Sequence, residues 1–219
     1  MNQEELTGNI GHFSFMLGKI INAIGQTPIE GLDEDLQATI LLYGSLVQVA
    51  AGSLLIDFFT DNPTAQLGID LTIIGYGTLV FGFIRSEDDP RRLTVQARSG
   101  NLKETLGNVV LLSDPEIQQK FYWVIGAIII CLANLLQALG RSEILSQPGD
   151  PALFNKSVTR GSWMEALGSA IIMFGYLYET TTGKDRCYPF PPPAYTAGKW
   201  PERHAHSPHG NPFLDNSHF

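Results

Sequence analysis

The chain's 14 basic and 22 acidic residues are almost absent from four stretches and crowd the segments between them. A soluble amphipathic helix would carry charge on one face of every turn. These stretches do not, which makes lipid the simplest surrounding for them, because a chain of this size leaves most helices of a soluble domain with a wet face. The first, 38–59, has Asp57 near its end as its only charge, and Asp33, Glu34 and Asp35 just before it suit a helix N-terminus. The second, 67–84, runs apolar from Leu71 until Arg85. The third, 121–139, is uncharged and opens on Phe121-Tyr122-Trp123, the aromatic belt expected where lipid meets water. The fourth, 163–178, is shorter, with Trp163 at one end and Tyr176 and Tyr178 at the other.

These readings predict an all-α integral membrane protein with four transmembrane helices, arranged as two tandem helical hairpins over 38–85 and 121–179. Residues 1–37 form an N-terminal segment in which 10–24 place Ile10, Phe13, Leu17, Ile20, Ile21 and Ile24 at helical spacing, an amphipathic helix lying in the interface or on the bundle. A polar loop is expected over 86–120, and an extended Pro-rich C-terminal tail over 180–219. The N-terminal segment, the 86–120 loop with Arg85, and the tail hold 11 of the 14 basic residues. The positive-inside rule then places both termini on the cytoplasmic, matrix or stromal side of a bacterial cytoplasmic or organellar inner membrane.

An internal repeat is suggested by glycines seven apart: Gly68, Gly75 and Gly82 in the second span, and Gly161, Gly168 and Gly175 in the fourth, at a constant offset of 93. Such glycines share one helix face and let another backbone approach closely.

Acids within spans are functional suspects by default. Asp57, Asp70 and Glu165 border or enter the apolar runs and form a candidate ion path, although each is expected near a span end, where water or a helix dipole would satisfy it. Gln48, Asn134 and Gln137 are expected to bond across helices. His12 is a candidate pigment ligand, and His204, His206, His209 and His218 dot the tail without an element to preorganise them. Cys131 and Cys187 share no motif spacing, so neither a disulfide framework nor a metal site is expected.

The net charge of −8 and the lack of a basic run argue against nucleic acid. Nucleophile elbow, Walker loop, zincin and dinucleotide motifs are all missing. In the tail, Tyr188, Phe190, Tyr195, Trp200, Phe213 and Phe219 are spaced as anchors for a partner surface. The sequence alone therefore favours a non-catalytic structural or accessory subunit of a larger respiratory, ATP-synthesising or photosynthetic complex, with other membrane subunits and bound lipids as partners and no cofactor. A small transporter or channel using the membrane-border carboxylates is the alternative, and pigment or quinone binding a further one.

Overall fold

Side-chain caps set where several of the helices begin. Asp33 accepts from the Leu36 amide at 2.7 Å, and Glu34 and Asp35 fill the first turn behind it. The Asn62 carboxamide accepts from Ala65 N at 3.0 Å in front of Pro63. Asp114 accepts from the amides of Glu116 and Ile117, both at 2.9 Å, with Pro115 in the first turn. Asn155 accepts from Val158 N at 2.9 Å. The resulting helices are α1 (Gln3–Gly25), α2 (Glu34–Phe58), α3 (Pro63–Arg85), α4 (Pro90–Ser113), the single turn α5 (Pro115–Gln118), α6 (Phe121–Ser146) and α7 (Lys156–Thr182). They come from a computed structural model that describes residues 3–59, 61–85, 90–147 and 155–182. The tail anchors Tyr188, Phe190, Tyr195, Trp200, Phe213 and Phe219 lie outside the described residues, as do Cys187 and the tail histidines.

The described residues are helical, with no strand among them. Three helices, α2, α3 and α6, are long and apolar enough to cross a membrane, with mean hydropathies of 1.8, 1.7 and 2.0. The helices pair most extensively as α1 with α2, α3 with α4, and α6 with α7. Contacts of α2 with α3, α4 with α6, and α7 with α1 then close the six long helices into a ring.

The pairing follows from the glycines. An added Cβ on Gly100 would lie 2.7 Å from the Gly75 carbonyl oxygen, one on Gly107 2.5 Å from that of Gly68, and one on Gly161 2.7 Å from that of Ala133. No side chain fits where a neighbouring backbone stands, so these helices touch main chain to main chain. The same seam recurs in every pair. Gly11, Gly18 and Gly25 on α1 correspond to Gly68, Gly75 and Gly82 on α3, each 57 residues later, and to Gly126, Ala133 and Gly140 on α6, each 58 later again. Across the seam, Gly11 faces Leu55, Gly68 faces Leu111 and Gly126 faces Ile172, so α2, α4 and α7 correspond at offsets of 56 and 61. The ring is thus three copies of one hairpin.

This arrangement departs from two tandem hairpins at an offset of 93. The Gly68, Gly75, Gly82 series lies on the first helix of its pair and packs on α4, whereas Gly161, Gly168 and Gly175 lie on the second helix of theirs and pack on α6. The two series run in opposite directions, and a seven-residue glycine spacing reads the same both ways. The 86–120 stretch, expected as a polar loop, is mostly helix α4 followed by α5. Its polarity is one-sided: Thr94, Asn101, Glu104 and Asn108 are buried, while Val95, Leu102, Leu106 and Val109 face outward. Because α4 carries Arg91, Arg92 and Arg98 at the end of the ring opposite the start of α1, the charge count on which the orientation of the termini rested loses its asymmetry.

The same inversion marks α1, where His12, Lys19 and Asn22 are buried, as is Gln26 just past its end, while Leu6, Ile10, Phe13 and Leu17 are exposed. Elsewhere the outer surface presents Tyr43, Ile84, Leu139 and Phe174, each more than 60% exposed. This ring is apolar outside and holds buried polar and charged groups beside an apolar cluster within.

If the backbone seam holds the hairpins together, Gly107→Ala should lower stability by about 1–3 kcal/mol, the usual cost of overpacking. Gly77→Ala, where an added methyl meets nothing within 4 Å, should raise it by about 0.5–1 kcal/mol through helix propensity. Thermal unfolding of the two purified variants in detergent, followed by circular dichroism, distinguishes these shifts by sign.

Candidate axial ion site

Lys19 on α1 reaches Glu104 on α4, the helix diametrically opposite in the ring, and so marks its axis. The ammonium forms a close ion pair with Glu104 and lies 3.3 Å from Glu165 Oε1 on α7. It also stands 4.8 Å from the centroid of the Tyr76 ring and 5.6 Å from that of Phe15, which adds cation–π attraction. All three charged side chains are essentially closed to solvent, at 0% exposure for Lys19, 2% for Glu104 and 4% for Glu165.

The threefold relation explains why these residues meet. One position after the central small residue of each first helix stand Lys19, Tyr76 and Asn134, and the matching positions on the second helices hold Gln48, Glu104 and Glu165. Each is buried. Six polar side chains from six helices therefore form one layer across the axis.

Above that layer, toward the α1–α2 turn, the axis stays polar. Asn22 donates to Ser45 Oγ at 3.4 Å. Gln26 Oε1 accepts from Ser162 Oγ at 2.6 Å and from an Arg141 guanidinium nitrogen at 3.4 Å, and its backbone carbonyl accepts from Thr159 Oγ1 at 2.6 Å. A cavity with about 10 Å³ available to the centre of a water lies here, lined by Asn22, Gln26, Tyr76, Asn101, Glu104, Gln137 and Glu165, among others. That is room for about one water.

Below the layer the axis is mixed, with buried Thr72, Asn108 and Ser169 beside an apolar cluster. Leu55, Leu111 and Ile172, the three equivalents that face the outer glycines, join Ile69, Trp123 and Ile130 in the main buried cluster. A second cavity, with about 30 Å³ for water centres, is lined largely by these residues. His12 borders it, with its ring centroid 4.6 Å from Tyr176, 5.1 Å from Trp123 and 6.2 Å from Phe58.

Of the three carboxylates expected to form a path, the ring admits only Glu165. Helix α7 starts at Lys156, so Glu165 lies nine residues inside it rather than in its first turn. Asp57 and Asp70 are exposed, and Asp70 shares the outward face of α3 with Leu67 and Ile74. The acid that joins Glu165 is Glu104, hidden in the segment expected as loop, and their counterion Lys19 stood unremarked on the α1 segment. One signal points to both: each stands on the face opposite a run of apolar positions at helical spacing, Phe13, Leu17 and Ile24 for Lys19, and Leu102, Leu106 and Val109 for Glu104. Of the polar residues expected to bond across helices, Gln48 instead donates to Gly44 O of its own helix at 3.3 Å. Among the described residues no group of three His, Cys, Asp or Glu side chains could hold a metal ion.

A family of unknown function (DUF6944) matches residues 6–173, from the first turns of α1 into α7, and the chain belongs to that family. No curated protein and no solved structure matches it.

Removing one partner of a buried ion pair strands the other. Lys19→Met should cost about 3–5 kcal/mol, and the double variant Lys19→Met/Glu104→Gln should recover part of that loss by removing one stranded charge. Denaturant unfolding in detergent measures both; a double variant no more stable than Lys19→Met would show that the two side chains are not coupled.

Proposed function

We propose that this DUF6944 member crosses the membrane six times and that its three hairpins enclose a pathway for a small ion, with Lys19, Glu104 and Glu165 at the midpoint. The observation that carries the reading is the inverted polarity of the ring, apolar where it faces out and charged on its axis. Charges in a bilayer are expensive and are placed facing a bundle interior or a water-filled cavity, where they mark ion and proton routes. Each long helix has 23 to 27 residues, about 35–40 Å at 1.5 Å per residue, enough to cross the hydrocarbon.

The two halves of the axis support a gated route over an open pore. Polar groups line the half toward the α1–α2 turn, while Leu55, Leu111 and Ile172 close the other half. An ion entering from the polar end would meet the charged layer and stop at an apolar constriction, the arrangement of a site occluded from one side. The accessory-subunit reading draws on the tail anchors, which lie outside the described residues.

Reconstitution tests the pathway. Full-length protein in liposomes, with a potassium gradient and valinomycin to set the potential, should carry proton or sodium flux above that of protein-free vesicles, read with an internal pH dye and radioactive sodium. Glu165→Gln should reduce that flux at least tenfold, and Asp70→Asn should leave it unchanged. Flux equal to protein-free vesicles for both ions would overturn the reading, as would equal sensitivity to the two substitutions.

A further inference from the structure

We infer that the ion of the proposed pathway is a proton and that His12 carries it through the closed half of the axis. This rests on the pathway reading and names its substrate. The threefold relation sets out the closing layer. Leu55, Leu111 and Ile172 come from the second helices, and His12, Ile69 and Ala127 from the first, at the same offsets of 57 and 58. All six are buried. Five are apolar and the sixth is an imidazole, so the layer breaks its own chemistry at one position.

Packing accounts for the His12 ring but not for its nitrogen. The ring stands among those of Phe58, Trp123 and Tyr176, an environment that a phenylalanine would fill as well. Its Nε2 is nevertheless buried without a protein partner, an arrangement that packing alone does not call for. The larger cavity supplies what that nitrogen lacks. It has about 30 Å³ for water centres, room for about two waters, and it reaches from the turn below the charged layer to the closing layer. Ser169 stands one turn beyond Glu165 on α7, and Asn108 one turn beyond Glu104 on α4, each about 6 Å further along the axis. His12 lies about 10 Å from the charged layer, seven residues before Lys19. Ser169 Oγ is also buried without a protein partner and lines the same cavity as His12. Two waters there join Ser169 to His12 in a chain that starts one turn from Glu165 and ends on the imidazole.

A metal ion that leaves water behind needs oxygens in its place, and the side chains of the closing layer offer none. A proton needs only a base. Nε2 takes a proton from a cavity water, which regains one from the Glu165 carboxyl. The imidazolium then releases the proton on Nδ1, and a half-turn of the ring restores the first tautomer. Beyond His12 the Tyr176 hydroxyl rests against Gly8, one turn nearer the start of α1, and this is the side on which the proton leaves. The titratable and charged groups facing His12 are Tyr176 from α7 and Lys120 ahead of α6, which acts on it electrostatically. Helix α2 presents Leu55 and Phe58.

Proteoliposomes of the full-length chain, with the potential set by potassium and valinomycin, test the relay through proton flux, sodium flux and two substitutions. His12→Phe keeps the aromatic contacts and removes the nitrogens, and His12→Gln keeps a polar group that does not carry a proton at neutral pH. Sodium flux should stay at the level of protein-free vesicles, and proton flux should fall at least tenfold in both variants, with thermal unfolding close to that of the wild type. Proton flux unchanged in either variant, or sodium flux matching proton flux, overturns the relay and leaves the pathway standing. No flux of either ion in the wild type overturns both. Should the His12 variants fail to elute as folded protein, Ser169→Ala gives the second reading. It removes one hydroxyl from the chain and should lower proton flux at least threefold, and unchanged flux overturns the relay.

Discussion

A carbonyl oxygen standing where a side chain would begin is the constraint on which this ring depends. In the membrane proposed for this chain, helices would gain nothing from hiding apolar surface from one another and would associate through dispersion contact, to which small residues bring the most atoms. The seams Gly18 against Gly44, Gly75 against Gly100 and Gly161 against Ala133 repeat this contact in each hairpin. Pairs drawn in so tightly behave as single thick staves. Three such staves leave a narrow axis that side chains nearly fill, with only small cavities between them. Along so narrow an axis a buried polar group must find its partner in the protein or in one of these cavities.

The interior meets that demand unevenly. Toward the α1–α2 turn, Gln26 joins three helices at once by accepting from Thr159, Ser162 and Arg141. At the other end His12 packs among the rings of Phe58, Trp123 and Tyr176 with its Nε2 unpartnered, beside the apolar trio Leu55, Leu111 and Ile172. The charged layer lies between a polar compartment and one in which apolar residues stand beside Thr72, Asn108 and Ser169. That position gives Lys19 its leverage, since one ammonium bridges α1, α4 and α7 and thereby all three hairpins.

Much of this was legible in the sequence, and the rest was concealed for identifiable reasons. The all-helical character and the apolar runs of α2, α3 and α6 follow directly from hydropathy. The glycine faces were legible too, but their spacing carries no direction, which is why α3 resembled α7 instead of α1 and α6. Helices α1 and α4 were harder, because both present apolar residues outward and polar residues inward, so their average composition is that of a surface helix or a loop. Only the phase reveals them: Leu102, Leu106 and Val109 on one face, and Asn101, Glu104 and Asn108 on the other. Glu165 is legible as a suspect acid, but its depth in the helix is not, because α7 begins before its apolar stretch does.

Symmetry separates scaffold from site in this chain. Where three hairpins only need to pack, equivalent positions carry the same chemistry, as Leu55, Leu111 and Ile172 do. The central layer departs from that pattern, with Gln48 answering Glu104 and Glu165, and Tyr76 and Asn134 answering Lys19. Stability alone gives no reason for the departure, since well-packed apolar residues commonly equal or exceed a buried ion pair of the same volume. Nor does helix registration require it, because the glycine seams already fix which turn meets which. A charged cluster that neither packing nor register calls for, set where three hairpins converge and beside a cavity the size of one water, is the feature on which the proposed pathway rests.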